Sequence, residues 1–223
     1  MNKYVREFLL WILISLPYVY LAMVWNELQD VVPTHFNLEG QADAWSDKST
    51  LIWLPGVMGL GIYVLMLIVP YLDPKGRIQQ MGNKYHSLRI ILSLFFSAIS
   101  CYILYVSSRG NMESPQMIIA LMGLLFAVLG NYFQTMRPNY FIGIRTPWTL
   151  ENEEVWKKTH RLAGKLWLGG GLIIAVLAFF LKTNSTLAII FGSLLVIMVL
   201  VPVVYSWLEF RTQKNQSTVV NQD

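Results

Sequence analysis

Six apolar runs, at about 7–25, 51–72, 90–107, 116–133, 165–181 and 187–208, divide this chain, and each is nearly free of charge. A hydrocarbon core about 30 Å thick needs about 20 apolar residues of helix to cross it. Inside lipid every backbone polar group must be satisfied within the protein, so runs of this length read as helices. The sequence therefore predicts an all-α, polytopic integral membrane protein with six transmembrane helices. Composition agrees, because hydrophobic residues make up 55% of the 223 positions and charged ones 13%, too few to clothe a water-soluble surface of that size. The first run follows Lys3 and Arg6 as in a secretory signal, but it continues to Trp25 without a small-x-small cleavage site and is expected to stay as an anchor.

Orientation follows from lysine and arginine, which stay on the cytoplasmic side. With the N-terminus inside, that side receives fourteen: Lys3, Arg6, Lys75, Arg77, Lys84, Arg89, Arg137, Arg145, Lys157, Lys158, Arg161, Lys165, Arg211 and Lys214. Only three, Lys48, Arg109 and Lys182, face out. Both termini are thus expected in the cytoplasm. Bases placed against anionic headgroups account for the net charge of +4 without direct nucleic acid binding. Cys101, the single cysteine, falls in the third run and reads as a small packing residue, so no disulfide framework is available. His35, His86 and His160 are scattered over two sides of the membrane without zinc-type spacing, and neither a metal nor a cofactor is expected.

Two loops are long enough to carry function. The outer one, 26–50, holds Glu27, Asp30, Glu39, Asp43 and Asp47 against Lys48 alone, a surface that favours a cationic partner. Pro33, Gly40 and the 37–40 stretch read as turns and place His35, Phe36 and Trp45 on a compact hairpin-like lobe. Phe36 and Trp45 read equally as interfacial anchors. The inner loop, 134–164, divides into an irregular stretch, 139–148, and a helix from near Thr149. Glu151, Glu153 and Glu154 suit its first turn and Lys157, Lys158, Arg161 and Lys165 its later ones, predicting Glu153–Lys157 and Glu154–Lys158 pairs. Val155, Thr159, Leu162 and Leu166 share one face, with Trp156, His160 and Trp167 on the next. The pattern reads as an amphipathic helix on the inner leaflet running into the fifth span, or as a docking surface, and the two are compatible.

Within the spans, Pro17, Pro55, Pro70 and Pro202 are expected to bend or end helices. Gly169, Gly170, Gly171, Gly192 and the pair Gly123 and Ala127 permit close helix contacts. Asn131 and Glu209 stand out as the strongly polar groups, leaving no Asp, Glu, Lys or His near mid-membrane, which counts against the rival class, a small transporter or exporter. No Ser, His and acid set gathers on one side, so no enzyme is expected. Residues 212–223 read as a polar, disordered tail.

Two stretches carry a family likeness. Residues 32–49 (VPTHFNLEGQADAWSDKS) resemble the signature P-x-H-[FY]-[ND]…G-x-[AP]-[DN]-x-[WYF] of an uncharacterised domain. Residues 139–167 (NYFIGIRTPWTLENEEVWKKTHRLAGKLW) resemble the segment N-x-x-[FI]-G-[IV]-R-[TL]-[PR]-[WA]-[TA]-L…W…[TA]-[NH]-x-x-[GA]-[GA] of the SdpI family of bacterial membrane immunity proteins, which that domain commonly accompanies. The resemblance implies an N-terminal unit at 1–75, an SdpI-like unit at 88–211 and a tail at 212–223 without a place in the family pattern. It implies a multi-pass protein of the bacterial cytoplasmic membrane that resists a secreted, membrane-active peptide toxin. It further implies, for some members, sensing of the toxin and retention of a small winged-helix autorepressor at the membrane. On this reading His35, Asn37, Gly40, Asp43 and Trp45 meet a cationic or amphipathic peptide outside. Asn139, Gly143, Arg145, Thr146, Pro147, Trp148, Trp156 and His160 either dock a partner inside or brace the helices. Arg145 reads equally as a partner contact and as a structural group paired with Glu151 or helix carbonyls.

Overall fold

The computed structural model describes residues 3–181 and 184–220. Lys182, counted above among the outward bases, and residues 221–223 of the tail lie outside the described residues. Among the described residues, six helices are long and apolar enough to cross a bilayer: Glu7–Val24, Thr50–Leu72, Asn83–Arg109, Gln116–Phe133, Glu153–Phe180 and Ser185–Gln216. The chain is an all-α polytopic membrane protein whose described residues include one two-stranded sheet.

Two compact units make up the fold. The first takes the chain as far as Val69 together with Tyr85–Ile118, so the third span packs with the first two. Helix α1 (Lys3–Val24) packs Leu10 and Ile14 on Tyr63, Leu67, Ile90 and Leu94. Helix α4 (Asn83–Arg109) turns Ser93, Ser97, Ser100 and Ser107 inward at near-helical spacing, small side chains that admit a close neighbour. The Ser97 hydroxyl donates to the Leu13 carbonyl at 2.9 Å. The second span is composite: α2 (Thr50–Pro55), a π-helical turn (Gly56–Gly61) and α3 (Ile62–Leu72). Pro55 has no N–H for the ladder and crowds the carbonyl four residues back, and the turn that follows is widened rather than broken.

The second unit takes Pro70–Lys84 and the chain from Ile119 onward. Here α5 (Gln116–Phe133) and α7 (Glu153–Phe180) meet backbone to backbone, since a Cβ on Gly123 would lie 2.7 Å from the Gly171 carbonyl oxygen and one on Gly164 2.8 Å from that of Gly130. Lipid offers no hydrophobic drive between helices, so such intimate packing supplies the adhesion. Gly123 and Gly171 answer the sequence expectation. Gly169 and Gly192 meet nothing within 4 Å, whereas Gly130 and Gly164, which the sequence reading passes over, form the second contact. Helix α8 (Asn184–Val220) packs Met198 on Phe126 and Ile174, and Trp167 Nε1 donates to the Met198 carbonyl at 2.9 Å.

Four expectations are corrected in this unit. The helix read from near Thr149 forms as a short α6 (Pro147–Glu151), breaks at Asn152 and restarts as α7, which runs unbroken into the fifth span. Its pairs also differ: Glu154 takes Lys157 at 2.9 Å, Glu153 takes Arg77 at 3.0 Å and Lys158 takes Glu209 at 2.6 Å. Val155, Trp156, Thr159 and His160 are buried in protein, so this turn does not lay an apolar face on the leaflet. Finally, the tail read as disordered is helical as far as Val220, the last part of the 37-residue α8. Trp148 Nε1 donating to Ser206 Oγ at 2.7 Å, the Lys158–Glu209 pair and Asn152 donating to Gln213 at 2.8 Å anchor that extension.

Loops of like parity touch within each unit. In the first, the hairpin between spans one and two bonds the turn between spans three and four, Met112 N–H donating to the Gly40 carbonyl at 3.0 Å. In the second, the connection between spans two and three meets the segment between spans four and five, with Arg77 on Glu153 and Arg137 donating to Gln80 at 2.6 Å. Both pairings are compatible with spans that alternate in direction.

Candidate functional site

The hairpin consists of β1 (Val31–Phe36) and β2 (Ala42–Asp47), antiparallel, with Pro33 opposite Trp45 and irregular register around His35. Asn37 builds its turn, the side-chain oxygen accepting the N–H groups of Glu39 at 3.0 Å and Gln41 at 2.9 Å. Gly40 holds φ +81°, and a Cβ there would overlap the Met112 carbonyl oxygen. Val32 is buried with Leu21, Leu28, Leu51 and Leu104, and Ser107 Oγ donates to the Pro33 carbonyl at 3.2 Å. The lobe is therefore pinned to the helices along one edge.

Of the five sequence candidates here, Asn37 and Gly40 build the turn while His35, Asp43 and Trp45 present their side chains outward. His35 Nδ1 and Asp43 Oδ1 share a 2.5 Å hydrogen bond. Lys48 pairs with Asp30 at 3.0 Å, which leaves Glu27, Glu39 and Asp47 without a lysine on this lobe. The hydroxyl and amide of Ser49 hold the Asp47 carboxyl below the usual carboxylate range. Gly40→Ala tests the pinning. Positive φ alone costs a side chain about 1–2 kcal/mol, and the overlap with Met112 adds to it. The expected result is faster protease cleavage within 26–50 of the detergent-purified protein, with membrane insertion retained.

The 134–164 segment is a knot. Asn139, 1% exposed, accepts the N–H groups of Phe141 at 2.9 Å and Ile142 at 2.7 Å and donates to the carbonyls of Arg137 and Ile142. Gly143, at φ +106°, lies directly against the His160 ring. The Ile144 N–H donates to His160 Nε2 at 3.0 Å, so that nitrogen carries no proton, and Nδ1 donates to the Trp156 carbonyl at 2.9 Å. Trp156 stacks on this ring at 3.9 Å and its Nε1 donates to the Met136 carbonyl at 2.9 Å. Thr146 caps α6 reciprocally with Thr149. Arg145 pairs neither with Glu151 nor with a helix carbonyl; it is exposed and donates to the Tyr140 carbonyl in the loop. Asn139, Trp156 and His160 are interior, whereas Arg145 and Pro147 reach the surface beside the partly exposed Tyr140.

A third cluster escaped the sequence reading. Glu7, at the start of the first span, accepts from Arg89 and, at 2.7 Å, from the Tyr63 hydroxyl. Arg89 also donates to His86 Nδ1 at 2.9 Å, so that nitrogen, 3.7 Å from Glu7, faces the carboxylate without a proton between them. Arg89 is 8% exposed. The view that Asn131 and Glu209 are the strongly polar groups of the spans is thereby corrected. Glu7 and Arg89 enter them as a pair, which is how a charge is tolerated there.

Six spans, a pinned acidic hairpin and a knotted cationic segment define a multi-pass membrane protein whose distinctive chemistry lies in its connections. Residues 135–206 match the SdpI/YfhL protein family, and residues 12–59 match the Domain of unknown function (DUF1648). The chain is 28% identical over 173 residues to the Immunity protein SdpI of Bacillus subtilis (strain 168), covering 76% of this chain and 79% of that one. Over residues 135–206 the chain is thus similar to the SdpI/YfhL family, and over most of its length to an immunity protein of that name. No solved structure matches the chain. The first matched stretch contains the hairpin and ends within the π turn; the second contains the knot and ends at Ser206, the residue bonded by Trp148.

Proposed function

We propose that this protein confers immunity to a secreted, membrane-active peptide toxin, acting in the cytoplasmic membrane of a bacterium with both termini inside. The likeness to an immunity protein along most of the chain carries the reading. The positive-inside rule supports the orientation, because it places the knot and its bases in the cytosol and the acidic hairpin outside. A rigid anionic lobe at the outer surface suits capture of a cationic, amphipathic peptide before it inserts. On the inner face, the exposed rim of Tyr140, Arg145 and Pro147 is the surface offered to a small winged-helix repressor, held there when toxin is present. The buried Asn139, Trp156 and His160 keep that rim in shape.

The test is expression in a Bacillus subtilis strain lacking its own immunity protein, challenged with spent medium from the parent strain. Survival is the expected result; killing at the dose that kills the empty-vector strain overturns the reading. A transporter instead predicts flux in vesicles that depends on Glu7 or Arg89.

A further inference from the structure

Beneath the hairpin, inside the first unit, lies a cavity of about 320 Å³ walled by β1, α2, the π turn and α4. Thr34 and Thr50 stand at its polar edge, and Trp53, Val57, Met58 and Ile103 form its apolar walls. Ser107 also lines it, but that hydroxyl is engaged with the Pro33 carbonyl. The volume is at the small end of the roughly 300–1,000 Å³ typical of ligand pockets, enough for one large side chain and its flanks. Eight residues separate Thr50 from Met58, so the cavity runs about 12 Å down the second span at 1.5 Å per residue. It thus begins where span meets hairpin and descends toward lipid. Its floor falls on Gly56–Gly61, where the π turn offsets Val57 and Met58 from the register of an unbroken helix.

Charge selects the occupant. The loop above the cavity carries Glu27, Asp30, Glu39, Asp43 and Asp47, and its single lysine is committed to Asp30. The anionic hairpin that contributes Thr34 to the cavity repels phosphate headgroups, so a phospholipid is a poor guest, whereas a peptide with lysine or arginine beside an aromatic or long aliphatic residue matches both the apolar walls and the acidic loop. Such peptides concentrate at the depth where this cavity opens. We infer that the cavity lined by Thr34, Trp53, Val57 and Met58 is the seat for an apolar side chain of a cationic amphipathic peptide whose basic residues engage the hairpin. The inference rests on the immunity reading for the peptide's identity.

Val57 lines the cavity and is 68% exposed, so Val57→Trp adds bulk at the cavity wall without disturbing the core; Ile68→Trp, at an exposed site lower on the same span, is the control. The probe is a dansyl-labelled Leu/Lys amphipathic peptide, titrated into neutral phosphatidylcholine nanodiscs holding the full chain, with a dansylated fatty acid as the competing guest. Expected are binding above empty discs, a loss of at least about tenfold in Val57→Trp, a smaller loss in Glu39→Gln/Asp43→Asn, and no change in Ile68→Trp. Equal binding by Val57→Trp, no binding above empty discs, or binding of the fatty acid alone overturns the proposal. The survival assay separates the two readings. Wild-type protection that is indifferent to Val57→Trp at matched membrane levels sinks the cavity and leaves immunity standing. Cavity-dependent peptide binding without protection sinks immunity and leaves the seat.

Discussion

Gly143→Ala is expected to collapse the 134–164 knot. The new methyl would fall on His160 Nε2, the atom that accepts the Ile144 N–H, and the backbone there sits at φ +106°. Positive φ costs about 1–2 kcal/mol, and stranding a buried donor costs about 1–3 kcal/mol. Together these reach a large part of the 5–15 kcal/mol typical of a folded domain. The measurement is the melting temperature in detergent, alongside trypsin cleavage at Arg145 in inside-out vesicles, which should accelerate. His160→Ala removes the obstruction but also the acceptor. Gly143→Ala/His160→Ala is therefore expected to lose much less than the sum of the two single changes. Strict additivity would mean the two residues do not form one unit.

Removing one half of the Glu7–Arg89 pair has the second large effect. Glu7→Ala leaves a guanidinium, 8% exposed, with Tyr63 and His86 as its polar company. Breaking a buried ion pair from one side costs about 3–5 kcal/mol. Replacing both by leucine removes the desolvation penalty together with the attraction, and is expected to leave stability near wild type or above it. Thermal half-life in detergent read by fluorescence-detected size exclusion compares the three proteins. If Glu7→Ala melts no earlier than wild type, the pair is not holding the first span to the third.

What could be read from the sequence follows the range of each interaction. Spans are set by runs of neighbours, so all six were legible, and the hairpin was legible because Pro33, Asn37 and Gly40 act on their own backbone. Interactions across the fold were not. Glu7 meets Arg89 from 82 positions away, so a carboxylate at a span's edge gave no sign of its partner. Lys158 was assigned to Glu154 by helical spacing, yet Glu209, 51 positions on, takes it. The stretch after Arg211 looks disordered by composition because the contact that holds it, Gln213 to Asn152, comes from 61 positions away. Within the knot, Trp156 and His160 were singled out as candidates, but their burial depends on Met136 and Ile144, which no spacing rule connects to them.

At about 1.5 Å per residue, the 37 residues of α8 make a rod about 55 Å long. Hydrocarbon covers only about 30 Å of it. The remainder stands beyond the bilayer as a stiff helical post, braced at its base where Ser206 and Glu209 are gripped by Trp148 and Lys158.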